Sequence, residues 1–409
     1  MNDKINKNNY SGRWLILIIG VITMLFAGII YAWSILNSPF IDMGYARNDL
    51  AFNFTLTMSF FCIGGLISTK LVKLFGTGFT ILGSAILAGA GFVLTSFLGE
   101  GQALLLYLTY AFMAGLGIGI VYITIISSVN AWFPDRKGLS SGALMMGFGA
   151  SSLILGNLAD KLFKSSFGWE KTYITLGVAL AAVVGLSALF IKRPDPSAKL
   201  PAPKKPNGGK SEDFEIKDLT PTEMIRRFTF WRAFVFLICI TAVGSSVISF
   251  AKNFILSFDA EKAALATTMV GVFAICNGLG RIITGALFDA MGRRFTMLAA
   301  SLLAVIAAAL TLVSTLISSL PLAIVGICLV GMSYGTSPTV SAAFTASFYG
   351  SKHFASNLGV MNFNLMCASF TATACSSLVT SSGGYTAPFI LLVCLASVAL
   401  ALNFTIKRP

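Results

Sequence analysis

The chain has 409 residues, of which 56% are hydrophobic and 11% are charged, with a mean hydropathy of +0.82. A soluble protein would carry about one quarter charged residues, so the composition excludes a soluble globular domain and predicts an integral membrane protein. The formal net charge is +13, which would fit a nucleic-acid-binding protein if the basic residues lay on one soluble face.

Twelve apolar stretches follow one another along the chain, each close to the roughly 20 residues that a helix needs to cross a bilayer. They are predicted near residues 14–36, 51–72, 79–98, 104–128, 139–163, 172–191, 230–254, 265–288, 296–317, 321–347, 357–380 and 385–406. Strands of a membrane barrel would instead alternate over segments of about ten residues. The sequence therefore predicts an all-α membrane protein with twelve transmembrane helices, the first of which is not a cleaved signal peptide.

Basic residues are distributed unevenly over the segments between these spans. If both termini are cytoplasmic, 22 of the 29 Lys and Arg residues lie in cytoplasmic segments and 6 in external ones, while Arg281 falls inside a span. This asymmetry follows the positive-inside rule. We therefore expect a multi-pass protein of the cell (inner) membrane with both termini cytoplasmic, and we expect no nucleic-acid partner.

Residues 193–229 are proline-rich and charged, a composition that cannot bury enough apolar surface to order itself. We expect a flexible cytoplasmic linker there, with a short surface helix near 220–227, between a six-helix bundle at 1–192 and another at 230–409. The segments 73–80 and 289–296 follow spans 2 and 8, and the segments 131–138 and 347–354 follow spans 4 and 10. Both pairs match at an offset of about 216 residues, which predicts a parallel six-helix repeat.

The sequence contains no metal-ligand cluster and no nucleotide-binding motif. The single histidine, His353, has no cysteine or histidine near it, and a G-x-x-x-x-G-K-[ST] phosphate loop is absent. We therefore expect no cofactor and no metal. The cysteines all lie inside predicted spans, which indicates packing and not a disulfide framework; they are Cys62, Cys239, Cys276, Cys328, Cys367, Cys375 and Cys394.

The end of span 8 carries the run GALFDAMGRR at residues 285–294. Its glycines permit close helix contact, and its carboxylate can pair with Arg293 or with a neighbouring helix. The run resembles the G-x-x-x-D-x-x-G-R-[RK] signature of the major facilitator superfamily, which implies that superfamily's fold and a part for Asp289 and Arg293 in the cytoplasmic gate. A basic loop that only sets topology is the alternative. In the first half, Lys73 stands where the signature would have an aspartate.

A longer resemblance begins in span 4. The runs GLGIGIVY at 115–122 and NAWFPDRKGLSSG at 130–142 are similar to sequences of the oxalate:formate antiporter family, a branch of the superfamily related to the monocarboxylate transporters. The resemblance continues in NGLGR at 277–281, in GMSY at 331–334 followed by Pro338, and in the aromatic pair Tyr31 and Trp33. It implies that Arg281 binds a substrate carboxylate.

The sequence departs from the oxalate carrier of that family in span 11. That carrier has a second cation, a lysine eight residues beyond the Asn of an N-x-G motif, whereas here Asn357 leads to Leu365. The gating tryptophans expected in spans 10 and 11 are replaced by Val330 and Asn362. Oxalate, a dianion, is therefore not the expected substrate.

Arg281 is informative without reference to any family. It lies about four residues past the midpoint of its predicted span, on the order of 6 Å from the bilayer centre, where an arginine costs about 2.5–3.5 kcal/mol on insertion scales. One turn earlier stands Asn277, which is neutral. A buried guanidinium without a fixed counter-ion suits an anionic ligand, which it can bind bidentately. A structural hydrogen bond to carbonyls or an inter-helix ion pair is the alternative.

One strong intramembrane cation favours a monoanion, because a dicarboxylate would leave one negative charge desolvated and unpaired. Asn277 would share the face of Arg281 and donate to the ligand, or act as inter-helix glue. Further residues are expected to line the site, with core packing or helix glue as the alternative for each: Tyr31, Tyr122, Tyr334, Asn362 and Asn364. The last two cannot share one helix face. The glycines at 115, 117 and 119 are expected to serve close helix packing.

The sequence indicates less clearly how transport would be coupled to an energy source. Asp259 and Asp160, near the outer ends of spans 7 and 5, are the carboxylates nearest the membrane interior, and Asp259 is the candidate for proton symport. Anion exchange needs no titrating group. We therefore expect a monomeric secondary transporter, not an enzyme, that moves a small monocarboxylate of the lactate, pyruvate or formate class by alternating access. The rivals are an oxalate or dicarboxylate exchanger, with Lys252 as second cation, and a non-transporting membrane sensor.

Overall fold

The computed structural model describes residues 8–195, 200–201, 218–259 and 261–406. Within these residues, ten helical stretches are long and apolar enough to cross a bilayer. Two of them, Phe52–Thr95 and Thr268–Leu316, have 44 and 49 residues, which is the length of two spans each. Every predicted span coincides with one of these stretches or with half of one. The all-α architecture of twelve spans is confirmed.

Both long helices turn at a glycine. The helix Arg47–Thr95 turns at Gly76, where φ is 80°, and the helix Ala263–Leu316 turns at Gly292, where φ is 75°. Glycine adopts this left-handed conformation at little cost because it lacks a Cβ. At each turn the hydroxyl of the threonine four residues later donates to the glycine carbonyl, at 2.7 Å and 2.9 Å respectively. Spans 2 and 3, and likewise spans 8 and 9, are therefore joined without a separate loop.

The chain divides into two compact units, Met1–Lys204 with Phe354–Val360, and Lys205–His353 with Met361–Pro409. The first unit holds spans 1 to 6. Besides Arg47–Thr95, its helices are Asn8–Ala27, the 3-10 segment Gly28–Ala32, Trp33–Leu36, Ser38–Asp42, Ala103–Leu106, the π-helix Tyr107–Gly115, Leu116–Asn130, Lys137–Ser151, the π-helix Ser152–Gly156, Asn157–Phe163 and Gly168–Phe190.

The second unit holds spans 7 to 10, most of span 11, and span 12. Its helices are Pro221–Ile225, Phe228–Leu256, Ala263–Leu316, Leu320–Tyr349, Phe363–Ser382 and Thr386–Thr405. Span 11 begins with the separate helix Phe354–Met361 and is interrupted at Asn362. Pro338 lies inside span 10 and removes one backbone hydrogen bond from that helix.

Several close helix contacts inside the first unit recur inside the second unit at the predicted offset of 216 residues. A Cβ on Gly115 would lie 2.8 Å from the backbone oxygen of Thr57, and a Cβ on Gly331 would lie 2.7 Å from that of Phe273. Two further glycine pairs have the same correspondence: Gly119 at Phe61 matches Gly335 at Asn277, and Gly64 at Leu116 matches Gly280 at Met332. Spans 2 and 4 therefore pack as spans 8 and 10 do, and the glycine series serves close helix packing as expected.

The predicted linker at 193–229 is described only at 193–195, 200–201 and 218–229. A short helix, Pro221–Ile225, forms where one was predicted, and Thr220 caps it through a reciprocal pair of bonds with Glu223. The segment before the helix is fixed to the end of span 10: the Leu219 amide donates to the Tyr349 carbonyl at 3.1 Å, and Asp218 accepts from the Lys352 amide at 2.9 Å. This end of the linker is thus packed against the second unit.

Candidate functional site

Arg281 lies deep in the second unit. Its side chain belongs to the part of the helix Ala263–Leu316 that precedes the turn at Gly292, about 16 Å along the axis from that turn. The residue is 2% exposed. Its Nε donates to Oδ1 of Asn277, one turn earlier, at 3.1 Å, and Asn277 is itself buried. Asn277 therefore orients the guanidinium through the inner nitrogen, while the two terminal nitrogens have the geometry that suits a carboxylate.

Span 10 packs directly on this part of span 8. Gly335 faces the backbone of both Asn277 and Arg281, and a Cβ there would lie 3.0 Å from the Arg281 nitrogen. The neighbouring Tyr334 is 9% exposed, with its ring 6.2 Å from that of Phe273. Its Cβ and ring lie against Gly244 of span 7. The predicted residues Arg281, Asn277 and Tyr334 are therefore carried by one closely packed group of helices.

The two asparagines of span 11 have different surroundings. Asn364 is buried, its amide donates to the Met361 carbonyl at 2.6 Å, and its Oδ1 accepts from the Thr241 hydroxyl at 3.1 Å. Thr241 also shares a short hydrogen bond with Ser337. Asn364 therefore links spans 7, 10 and 11, which is the helix-glue alternative. Asn362 is 4% exposed and lies at the interruption of span 11, where its carbonyl accepts from the Leu365 amide.

Tyr31 and Tyr122 belong to an aromatic cluster in the first unit. Tyr31 lies in the 3-10 segment of span 1, with its ring 5.1 Å from that of Phe148. The ring of Tyr122 is 5.0 Å from that of Phe148 and 5.0 Å from that of Phe61, in edge-to-face arrangements. Phe61 and Phe148 carry no motif and were not predicted as site residues. The 216-residue register could have found them, because it aligns Phe61 with Asn277.

The same register shows how the units differ. Phe61 corresponds to Asn277, Gly65 to Arg281, and Phe148 to Asn364. The second unit thus has polar and cationic side chains where the first has aromatic rings and a glycine.

The two predicted gate residues lie at the turn between spans 8 and 9. Asp289 and Arg293 are half-buried on either side of Gly292. The Arg293 guanidinium donates to the Ile406 carbonyl at 3.3 Å and lies 4.9 Å from the centre of the Phe348 ring. Arg293 thus binds the end of span 12, where a cation interacts favourably with the last helix carbonyls.

Asp259, the candidate for proton coupling, lies in the connection between spans 7 and 8. Its carboxylate pairs with Lys262 at 3.0 Å and accepts from the Glu261 amide at 3.1 Å. The hydrogen bond from Lys262, helped by that amide, holds the pKa of Asp259 below its ordinary value of 3.8. Such a carboxyl stays ionised at neutral pH, so its surroundings do not favour proton uptake there. Asp160 pairs similarly with Lys164 at 2.6 Å.

Metal-ligand clusters of three or more His, Cys, Asp or Glu side chains do not occur in the described part of the chain. The seven cysteines are free thiols.

A duplicated six-helix bundle, with one pair of spans in each half joined at a glycine turn, is typical of membrane transporters with twelve spans. The chain belongs to the Major Facilitator Superfamily, whose family model matches residues 15–372 and again 262–409. The predicted superfamily and its twelve-helix fold are confirmed, and the chain is a multi-pass membrane transporter and not an enzyme.

Two relatives align with most of the chain, and a third aligns with less than half of it. It is 28% identical to the uncharacterized MFS-type transporter YhjX of Escherichia coli K12 over 353 residues, 85% of this chain and 84% of that protein. It is 23% identical to the oxalate:formate antiporter of Oxalobacter formigenes over 401 residues, 97% and 92% of the two chains. Rat monocarboxylate transporter 3 matches over 180 residues at 27% identity, 44% of this chain and 35% of that one. The predicted branch of the superfamily is confirmed by these matches.

The fold also resembles solved transporters. The proton:xylose symporter XylE aligns with a TM-score of 0.73 at 10% identity, covering 98% of this chain and 97% of the other. At that identity the likeness concerns the fold alone.

Proposed function

We propose that the chain is a secondary transporter of small monocarboxylates, of the lactate, pyruvate or formate class, and that Arg281 binds the carboxylate. The observation that carries this proposal is a guanidinium that is 2% exposed within an apolar span and held by Asn277 through Nε. Placing a charge inside an apolar span costs free energy, and charged residues in such positions mark functional sites. A guanidinium can bind a carboxylate bidentately through its two terminal nitrogens.

The charge available at the site supports a monoanion. The position that would carry a second cation in span 11 is Leu365, which is 9% exposed and apolar. In the first unit the position corresponding to Arg281 is Gly65. A dianion bound at Arg281 alone would keep one desolvated charge. Tyr31, Tyr122 and Tyr334 are then candidates for contact with the uncharged part of the substrate.

An oxalate or dicarboxylate exchanger is the second candidate. It is favoured by the match to a protein named oxalate:formate antiporter over 97% of this chain. It requires a further cation, and Lys252, the residue predicted for that part, has its side chain outside the described residues. A membrane sensor has no support among the relatives, which are transporters.

Transport would proceed by alternating access, driven by proton symport or by exchange with a second anion. Arg293 and Asp289 are proposed to contribute to a gate on the linker side of the membrane, which we assign to the cytoplasm from the distribution of basic residues. Proton symport requires a titrating group other than an ionised Asp259, or the release of Asp259 from Lys262 during the cycle.

The test is counterflow in proteoliposomes, with labelled lactate, pyruvate, formate and oxalate measured with and without a pH gradient. We expect exchange of monocarboxylates and none of oxalate; transport of oxalate but not lactate would refute the monoanion assignment. Two bonds to a charged donor contribute about 1.5–3 kcal/mol each, so Arg281→Ala should raise KM at least roughly 100-fold. Arg281→Lys should retain part of the affinity. The exposed Arg294→Gln serves as the matched control and should transport normally.

A further inference from the structure

A buried ion pair joins the start of span 1 to the connection between spans 4 and 5. The Arg13 guanidinium donates from Nη1 to Oδ1 of Asp135 at 2.7 Å and from Nη2 to Oδ2 at 3.3 Å. The two side chains are only 10% and 6% exposed. This paired geometry is the strongest that arginine forms with a carboxylate. The residues are 122 positions apart in sequence, so the bond fixes tertiary structure.

Aromatic rings enclose the pair. The Arg13 guanidinium lies 4.9 Å from the centre of the Phe133 ring and 5.7 Å from that of Trp14. Those two rings meet edge to face at 5.2 Å. Arg136 approaches Asp135 at 3.8 Å from the more exposed side. The surroundings shield the ion pair from water and so strengthen it.

The other polar residues of the run NAWFPDRKGLSSG bind the neighbouring helices. Asn130, at the end of span 4, donates to the Ser141 hydroxyl at 2.7 Å and accepts from the Ser140 hydroxyl at 2.8 Å, both in span 5. The Trp132 indole donates to the Lys192 carbonyl at the end of span 6, at 2.8 Å. We call Arg13, Asn130, Trp132, Asp135, Ser140 and Ser141, with these bonds, the clasp. It ties together the linker-side ends of spans 1, 4, 5 and 6.

The two residues of the second unit that correspond to the ion pair are uncharged. At an offset of 216 residues, Arg13 corresponds to Thr229 and Asp135 to Ser351. The ion pair is therefore not required for the six-helix bundle as such. The helices that it ties are those that carry the aromatic cluster, with Tyr31 on span 1, Tyr122 on span 4 and Phe148 on span 5.

We propose that the clasp makes spans 1, 4, 5 and 6 move as one body during transport, and that Arg13 and Asp135 are positioning residues for this motion. The idea rests on membership of the transporter superfamily and not on the identity of the substrate. Loosening the ion pair should slow the conformational step while leaving substrate affinity unchanged. The expected signature is a fall in Vmax at constant KM.

The first arm compares Asp135→Asn with Asp160→Asn. Asp160 forms an ion pair of similar length with Lys164, but that pair is exposed, so its loss should change little. Asp135→Asn should lower Vmax several-fold at constant KM, and it should also lower the melting temperature and speed amide exchange in the first turns of span 1. The last two readouts need no substrate, so they still judge the clasp if wild type carries none of the acids offered. Equal behaviour of the two variants in all readouts would overturn the proposal.

The second arm separates rigid-body motion from mere stability. In a background without native cysteines, Arg13→Cys with Asp135→Cys removes the ion pair, and a short bifunctional thiol reagent then bridges the two positions. We expect a low Vmax before cross-linking and its recovery afterwards, because a covalent tether replaces the clasp. If cross-linking leaves transport low, or blocks it until the tether is cleaved, spans 1 and 5 move separately and the proposal is wrong.

Discussion

Gly335 is the position where a single methyl group tests the packing of the site most directly. Its Cβ would overlap the backbone oxygen of Asn277 and lie 3.0 Å from the backbone nitrogen of Arg281. Ordinary contacts of this kind are 3.4–4 Å. Because these atoms belong to a helix backbone, no side-chain rotation can relieve the overlap, and span 10 has to move away from span 8.

The expected size of the effect follows from two opposing contributions. Overpacking of a close-packed core costs about 1–3 kcal/mol, occasionally more, and backbone overlap places Gly335→Ala at the upper end. Alanine in place of glycine recovers at most about 1 kcal/mol of helix propensity. We therefore expect a net destabilisation of about 2 kcal/mol, together with a raised KM because Asn277 and Arg281 are displaced.

Gly83 is the matched control, since it lies in the helix Arg47–Thr95 and has nothing within 4 Å of its Cβ position. Gly83→Ala should melt at the wild-type temperature or slightly above it. Gly119→Ala should resemble Gly335→Ala in stability, because Gly119 meets Phe61 as Gly335 meets Asn277. The assays are thermal unfolding of the purified protein and counterflow kinetics. If Gly335→Ala has the same melting temperature as Gly83→Ala, spans 8 and 10 do not approach as closely as the Gly335 contact requires, and the argument is refuted.

Three further substitutions test the site and its surroundings. Asn277→Asp should abolish monocarboxylate counterflow, because a carboxylate one turn from Arg281 neutralises its charge, whereas retained uptake would contradict anion binding there. Thr241→Val should lower stability by about 1 kcal/mol, since inter-helix hydrogen bonds in membranes average about 0.6 kcal/mol and two are lost; thermal unfolding measures this, and an unchanged melting temperature would argue against the bonds. Asp259→Asn should leave the pH profile of uptake unchanged above about pH 4, because the lowered pKa keeps Asp259 ionised there. The pairing of Asp259 with Lys262 weakens only in stronger acid. A pH profile that is displaced near neutral pH would identify Asp259 as a proton carrier.

The sequence was sufficient to predict the spans and the repeat for a simple physical reason. Each crossing needs a long apolar run whatever its neighbours are, so the pattern is local. Arg281 was identifiable because a charge in an apolar span is rare and costly.

What the sequence could not supply depends on contacts between distant helices. Phe61 and Phe148 cannot be distinguished by sequence from the rest of the 34 phenylalanines of so apolar a chain, because their role follows from the rings that they meet. Spacing in span 11 does not distinguish Asn362 from Asn364, whereas the bond from Thr241 shows that Asn364 joins helices. The partnership of Arg13 with Asp135 spans 122 positions, and several basic residues could equally well have paired with that carboxylate.

The repeat also explains why the cation occurs in one half only. At the position corresponding to Arg281, a Cβ on Gly65 would already lie 3.0 Å from a side-chain carbon of Ile123, so a longer side chain there requires Ile123 to give way. The close glycine contacts are thus the same in both units, while the side chains beside them differ. A single positive charge without a symmetric counterpart fits the proposed monoanion site, and a second cation at position 65 would first require Ile123 of span 4 to give way.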